Sequence, residues 1–428
     1  MTAQDSSRSG LWKAIGPGVL FTGAAVGVSH LVQSTRAGAM FGFGLVLVIV
    51  LANAAKYPAF RFGPQYAAAT HTSLLEGYRR QGKWALVVYA LFTVGTMFTV
   101  QAAVTMVTAG LAIFLLGIDA SPVLVSAVLF AICAGLLAAG RYRWLDLIGK
   151  VVVTILAVST LAATALALPR VDWSQMVLWV PLEELDLTAV FFIAALVGWM
   201  PSAIDVAVWQ SLWTLAREKD SGHRATMRES MTDFHVGYIG TVVLALCFLT
   251  LGAAVMHGRG VELSNTAGGF AAQVVTLYTE TLGDWSRLVI GVCAFATMFS
   301  TTLTVVDGFP RALSVLVARV RAPEQPGGAE EDQRDNRRVY WGSVAILALG
   351  SLAILQLLIG ALKTMVDIAT TLSFLTAPVL AWLNHRAVLR PEVPQAMRPR
   401  PWLVTMSWAG IAAQGAFAIY YVWILLSS

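Results

Sequence analysis

Apolar residues run along this chain in blocks about as long as a bilayer crossing. Eleven blocks stand out, centred on residues 15–41, 44–69, 84–116, 121–139, 147–168, 188–214, 234–256, 286–316, 339–359, 362–384 and 403–426. A helix needs about 20 apolar residues to cross the hydrocarbon core. The blocks are built from Leu, Ala, Val and Ile with scattered Gly, Ser and Thr. A membrane barrel would show shorter, alternating segments instead. The pattern predicts an all-α integral membrane protein with 11 transmembrane helices. The longest polar stretch, residues 322–338, is rich in Pro, Gly and charge and reads as a flexible loop between spans 8 and 9. Nothing else breaks the helical run, so residues 1–428 read as a single membrane domain.

Two spans carry interruptions. Span 1 is longer than a crossing requires and holds Gly27-Val28-Ser29-His30 near its middle. Span 6 holds Gly198 and Pro201 near its middle. Pro201 has no N–H, so the Val197 carbonyl loses its helical donor. A free carbonyl in hydrocarbon is costly unless it lines a cavity or binds something. Spans 1 and 6 open two five-span sets, about 14–168 and 188–384, with an extra helix at about 403–426. An odd number of spans inverts the second set. Broken helices at equivalent places in inverted repeats predict a substrate site near the midplane of a secondary transporter.

Composition narrows the class. The chain has 428 residues, 57% hydrophobic and only 12% charged. A soluble domain carries about twice that charge, which excludes an ordinary cytosolic enzyme. The formal net charge of +5 does not call for nucleic acid. With the N-terminus cytoplasmic, 21 of the 29 Lys and Arg residues fall on the cytoplasmic side, and only Arg170, Arg259, Arg287 and Lys363 on the other. That asymmetry predicts a cytoplasmic N-terminus and an external C-terminus. The three cysteines, Cys133, Cys247 and Cys293, sit apart in apolar runs and read as packing residues. No cleavable signal peptide is evident. No hydrolase motif is present, so no enzyme and no cofactor is expected.

The stretches Gly16-Pro17-Gly18, Ala37-Gly38, Phe41-Gly42, Leu51-Ala52-Asn53, Met200-Pro201 and Ser300-Thr301-Thr302 resemble the NRAMP family of divalent metal transporters over nearly the whole chain. The resemblance implies a leucine-transporter-type 5+5 inverted repeat and proton-coupled uptake of Mn²⁺ or Fe²⁺. It also implies where the chain departs. The family's metal-binding Asp-Pro-Gly-Asn corresponds to Gly27, Val28, Ser29 and His30, so the carboxylate is gone. The family's Met and its free carbonyl correspond to Met200 and Val197, which remain. Its span-6 histidines correspond to Ser202 and Ala207, its acidic span-3 pair to Gln101 and Val104, and its span-10 Gln to Thr371.

These residues make the candidate substrate site Gly27, Ser29, His30, Val197, Met200, Ser202, Asp205 and Thr371. His30, Met200 and Asp205 are the candidate metal ligands, with Asp205 able to restore a fixed negative charge. Ser300, Thr301 and Thr302 on span 8 are candidate ion-coupling hydroxyls, and Asp307 and Asp367 candidate ion-coupling carboxylates. An internal ion pair is the alternative role for each carboxylate, and bonding to the hydroxyl's own helix the alternative for each Ser and Thr. Trp199 is placed to wall the site. Lys56 and Arg61 in span 2 are expected to line a vestibule or to snorkel. The expected function is an NRAMP-like secondary transporter moving a small cation, a divalent metal ion first, with altered or absent proton coupling. A transporter of a small organic cation or polar metabolite, or a non-transporting membrane sensor, remains the alternative. The expected setting is a monomer in the lipid bilayer of a prokaryotic-type cytoplasmic membrane, with no nucleic-acid partner.

Overall fold

Every regular element among the described residues is helical. The structure, a computed structural model, describes residues 16–139, 142–171, 173, 176–180, 185–259, 263–321 and 337–427. Span 1 is split into α1 (Pro17–Ala25) and α2 (Thr35–Phe41), joined through a π-helical turn at Ser29–Ser34. Spans 2 to 5 are α3 (Val46–Thr70), α5 (Lys83–Leu116), α6 (Pro122–Ala138) and α7 (Tyr142–Ala167). A short helix, α4 (Leu74–Gln81), lies between α3 and α5. Span 6 is split into α8 (Leu187–Gly198) and α9 (Asp205–Ser221). Spans 7 to 11 are α10 (Met227–Val255), α12 (Ser286–Arg321), α13 (Arg337–Leu357), α14 (Leu362–Val388) and α15 (Pro401–Ser427), with α11 (Ala267–Leu282) between α10 and α12. Seven of these helices are each long and apolar enough to cross a bilayer alone. All eleven apolar blocks are occupied by helix. The polar stretch at 322–338 lies outside the described residues, except for Arg337 and Arg338, which open α13.

Capping explains why some helices begin earlier than their apolar blocks. Thr226 and Glu229 form a reciprocal capping box, so α10 starts at Met227 on polar sequence. Asp186 caps α8 by accepting from the Ala189 N–H at 2.7 Å. The short α4 escaped the apolar pattern because it is largely polar. Its Glu76 accepts from Arg79 and Arg80 on the same helix and pairs with Arg319 at the end of α12, at 3.1 Å. Burial pushes the Glu76 carboxyl up, but the hydrogen bonds from both arginines and the charge of Arg319 outweigh it and hold it below the ordinary glutamate value.

The broken span 1 is pinned along α10 by close backbone contact. A side chain at Gly18 would overlap the Asp233 carbonyl, and one at Gly237 would overlap the Gly18 carbonyl. The same mutual approach recurs at the other half, where Gly38 meets the Leu249 carbonyl and Gly252 meets the Thr35 carbonyl. Small residues let membrane helices pack this tightly. The Asp233 carboxylate also accepts from the Gly16 and Gly18 N–H groups, closing the start of α1 from a neighbouring helix. Both half-helices of span 1 are therefore held by span 7.

Candidate functional site

The break in span 1 falls where the sequence places it. Helix α1 ends at Ala25, and a tight turn follows in which the Gly27 N–H donates to the Ala25 carbonyl at 2.8 Å. The carbonyls that lose helical donors find others. Thr301 Oγ1, on α12, donates to the Gly23 carbonyl at 2.6 Å, and Ser29 Oγ contacts the Ala25 carbonyl. Gly27 lies against Thr301, and a Cβ there would approach its methyl at 3.0 Å.

The break in span 6 spans residues 199–204. Its two terminal carbonyls, Val197 and Gly198, accept from Lys56 Nζ at 2.6 and 2.7 Å. Lys56 is fully buried and neither snorkels nor lines a vestibule. The freed peptide groups explain the difference, since they offer partial negative charge where hydrocarbon was expected. The sequence contained the signal, a lone Lys inside an apolar span. It did not contain the partner, because Lys56 and Val197 are 141 residues apart.

Between the breaks lies a small cavity of about 30 Å³ of water-accessible space. It is large enough for about two waters. Its lining is mostly apolar, with Val28, Val100, Val104, Val206, Trp199, Trp209 and Phe309 among the walls. Three hydroxyl residues line it: Ser29, Ser202 and Thr301. Trp199 lines it as expected and is fixed by an Nε1 donation to Ser373 Oγ at 2.8 Å.

The other candidates sit elsewhere. His30 is completely buried, with Nδ1 against Ser29 Oγ at 2.7 Å and Nε2 donating to the Thr241 carbonyl at 2.9 Å, so both ring nitrogens are engaged. Met200 is fully buried in apolar surroundings and does not line the cavity. Asp205 opens α9, where the helix dipole favours a carboxylate, and accepts from Thr93 Oγ1 on α5 at 3.4 Å. Thr371 is half-buried and also off the cavity. Thr302 hydrogen-bonds Thr108 on α5, and Ser300 is half-buried beside the lining. Asp307 is taken by Arg311 on its own helix and by the Tyr340 hydroxyl. His30, Met200 and Asp205 are thus not brought together around one point. Among the described residues, no three His, Cys, Asp or Glu side chains form a metal-holding group.

Asp367 belongs to a second constellation. It receives two hydrogen bonds from Arg36 and one from Gln33, which also reaches Thr370 Oγ1. The Arg36 guanidinium lies 4.9 Å from the Phe192 ring centroid. The cluster therefore ties α2, α8 and α14 together. Arg36 and Asp367 line a wide cavity of about 640 Å³ together with Met40, Met256, His257 and Lys363. Neither Arg36 nor Gln33 was linked to Asp367 by the pattern of the sequence, because the partners lie more than 330 residues apart.

Residues 18–424 match the family described as natural resistance-associated macrophage protein-like (Nramp). An uncharacterized protein of Pasteurella multocida (strain Pm70) is 34% identical over 411 residues, covering 96% of this chain and 92% of the other. The fold is similar to that of the Eremococcus coleocola manganese transporter, with TM-score 0.69 and 14% identity over 98% of this chain and 88% of that one. It is also similar to MhsT in complex with L-phenylalanine, with TM-score 0.59 and 12% identity over 95% and 97%. A nucleobase-cation-symport-1 family transporter gives TM-score 0.55 and 15% identity over 97% and 93%. At such identities the likeness is one of fold, the leucine-transporter-type inverted repeat with the first helix of each set broken.

Proposed function

The chain belongs to the natural resistance-associated macrophage protein-like family, and from that premise we propose that it carries a small cation by alternating access, holding it between the broken halves of spans 1 and 6. Membership makes it an integral membrane transporter within a metal-ion transport family, and not an enzyme. One observation carries the reading: residues of both breaks border the same cavity, and the hydroxyl residues Ser29, Ser202 and Thr301 line it together. A divalent metal ion is the first substrate class. Its ligands would be recruited from Ser29, Ser202 and Thr301 on the cavity wall, while the Gly27 carbonyl, bonded by the His30 and Leu31 N–H groups, and the Val197 carbonyl, bonded by Lys56, would first have to be released. His30, Met200 and Asp205 would need to move to contribute, and so would Thr371.

Coupling through span 3 is not part of this proposal. Gln101 donates to Thr105 on its own helix and Val104 is a cavity wall, so no span-3 carboxylate is available to shuttle protons. Uptake should therefore proceed without acidifying the lumen, as read by a pH-sensing dye. Stoichiometric acidification would refute this.

We place the transport unit as one domain of two repeats and an extra helix, monomeric in a prokaryotic-type cytoplasmic membrane. The N-terminus would face the cytoplasm, in line with the distribution of Lys and Arg. Exposed apolar residues such as Leu91, Leu116, Leu349 and Ile419 suit a lipid-facing surface.

A second reading, a small organic cation or polar metabolite, is favoured by the aromatic and aliphatic cavity wall. Uptake of labelled Mn²⁺ into proteoliposomes, with Mg²⁺ as competitor, separates the two. Saturable, competed uptake supports the metal reading; background uptake of both ions ends it and leaves the organic substrate.

A further inference from the structure

Arg61 is a cation without a counter-ion inside span 2. Its Nε–H meets the Met231 sulfur of α10 at 3.4 Å, and no carboxylate pairs with it among the described residues. A thioether is a weak acceptor, so the guanidinium keeps most of its donors unused. Arg61 is half-buried, and Tyr57 lies one turn away on the same face of α3. The Tyr57 hydroxyl hydrogen-bonds His235 Nε2 of α10 at 2.7 Å, and the two rings stack with centroids 5.9 Å apart. Arg228 is exposed on α10, and its side chain has no partner among the described residues either. Residues 228, 231, 232 and 235 are spaced to share one side of α10, so Arg61 and Arg228 approach the same groove between α3 and α10. The acids nearby are committed elsewhere, Glu229 to Thr226 and His223, and Asp233 to the Gly16 and Gly18 N–H groups.

Two features say what fills this groove. Val236 and Ile239 follow deeper on α10 and are 67% and 60% exposed, a surface suited to acyl chains. Helix α10 begins on polar sequence at Met227, and Met231 lies about 6 Å along it, so Arg61 reaches the level at which headgroups sit. An arginine within a span is costly unless it finds an anion, and basic residues between helices near the interface bind lipid headgroups. We propose that the groove binds an anionic phospholipid, its phosphate held between Arg61 and Arg228 and its chains laid against Val236 and Ile239. The phosphate supplies the acceptors that the guanidinium lacks, in the forked geometry that arginine favours. A zwitterionic lipid brings its own cation, which the two arginines repel. The bound lipid clamps α3 to α10, the helix that holds both halves of span 1.

The test is native mass spectrometry of the delipidated full-length protein in detergent, titrated with phosphatidylglycerol or phosphatidylcholine, with thermal melts in parallel. Phosphatidylglycerol should bind at least about fivefold more tightly than phosphatidylcholine and raise the melting temperature. Glycerol 3-phosphate at the same concentrations should do neither, since it has no chains to bury. Arg61→Gln and Arg228→Gln should each weaken phosphatidylglycerol binding about fivefold, and Arg61→Lys should retain most of it. Arg337→Gln, which removes an exposed charge at the start of α13, should leave it unchanged. Equal affinity for the two lipids, or equal weakening by Arg337→Gln, would reveal only general attraction to a cationic protein and overturn the site. Glycerol 3-phosphate binding as tightly as phosphatidylglycerol would make this a free-phosphate site and overturn the lipid. Unchanged binding in either Gln variant would also overturn the proposal. Arg228 is exposed, so its variant decides alone if Arg61→Gln fails to fold.

Discussion

Replacing Asp367 with Asn should loosen the ion pair in the wall of the wide cavity and ease access to what lies beneath it. Arg36 donates to both Asp367 oxygens, at 2.5 and 3.1 Å. The Arg36 side chain is 8% exposed and that of Asp367 is 37% exposed. Two unit charges about 4 Å apart interact by about 4 kcal/mol at an effective dielectric constant near 20. Solvent reaches Asp367, so screening reduces what can be recovered to about 1 kcal/mol. That is about a fivefold shift toward an open mouth. Thr370, completely buried beneath the pair and hydrogen-bonded by Gln33, is the natural reporter. With Thr370→Cys as background, the rate of labelling by a bulky hydrophilic thiol reagent should rise about fivefold when Asp367→Asn is added. The native cysteines are buried and contribute little background. An unchanged or slower labelling rate would show that the pair does not hold the mouth shut.

Glu76→Gln removes one carboxylate contact of the nearly buried Arg319 together with the ion pairs to Arg79 and Arg80, and should lower the melting temperature in detergent. Because the folded Glu76 carboxyl is held below its ordinary value of 4.5, its contribution is fully present above that pH. It is lost as pH falls through the lowered value, and the Gln variant should lack this acid-dependent loss. Gly198→Ala would drive a Cβ into the Thr370 carbonyl, so a large loss of folded protein on size-exclusion chromatography is expected, whereas Gly95→Ala, with open space around it, should behave as wild type. His30→Ala should lower stability by about 1 kcal/mol through loss of the Nε2 donation to the Thr241 carbonyl, which keeps its helical donor, while Mn²⁺ affinity moves little. Lost binding with an unchanged melt would instead place the imidazole against the substrate.

Hydrophobicity along the chain settled the class, the eleven spans and the location of both interruptions. These properties are largely local: a run of apolar residues ends where polar residues, Gly or Pro end it, and Pro201 withdraws an N–H from span 6, although Pro58, Pro64, Pro310 and Pro378 lie inside unbroken helices and show that proline by itself does not force a break. The Gly27 region broke span 1 for the same kind of reason. Tertiary structure decided what filled the breaks. Lys56, Thr301 and Ser29 were each visible as polar residues in apolar helices, but only packing showed which carbonyl each one serves. The same holds for Arg36 and Asp367, and for His30, whose two ring nitrogens are consumed by a neighbour and by span 7. A freed peptide group in hydrocarbon accepts whichever donor the fold brings within reach, and that donor can come from a helix more than a hundred residues away.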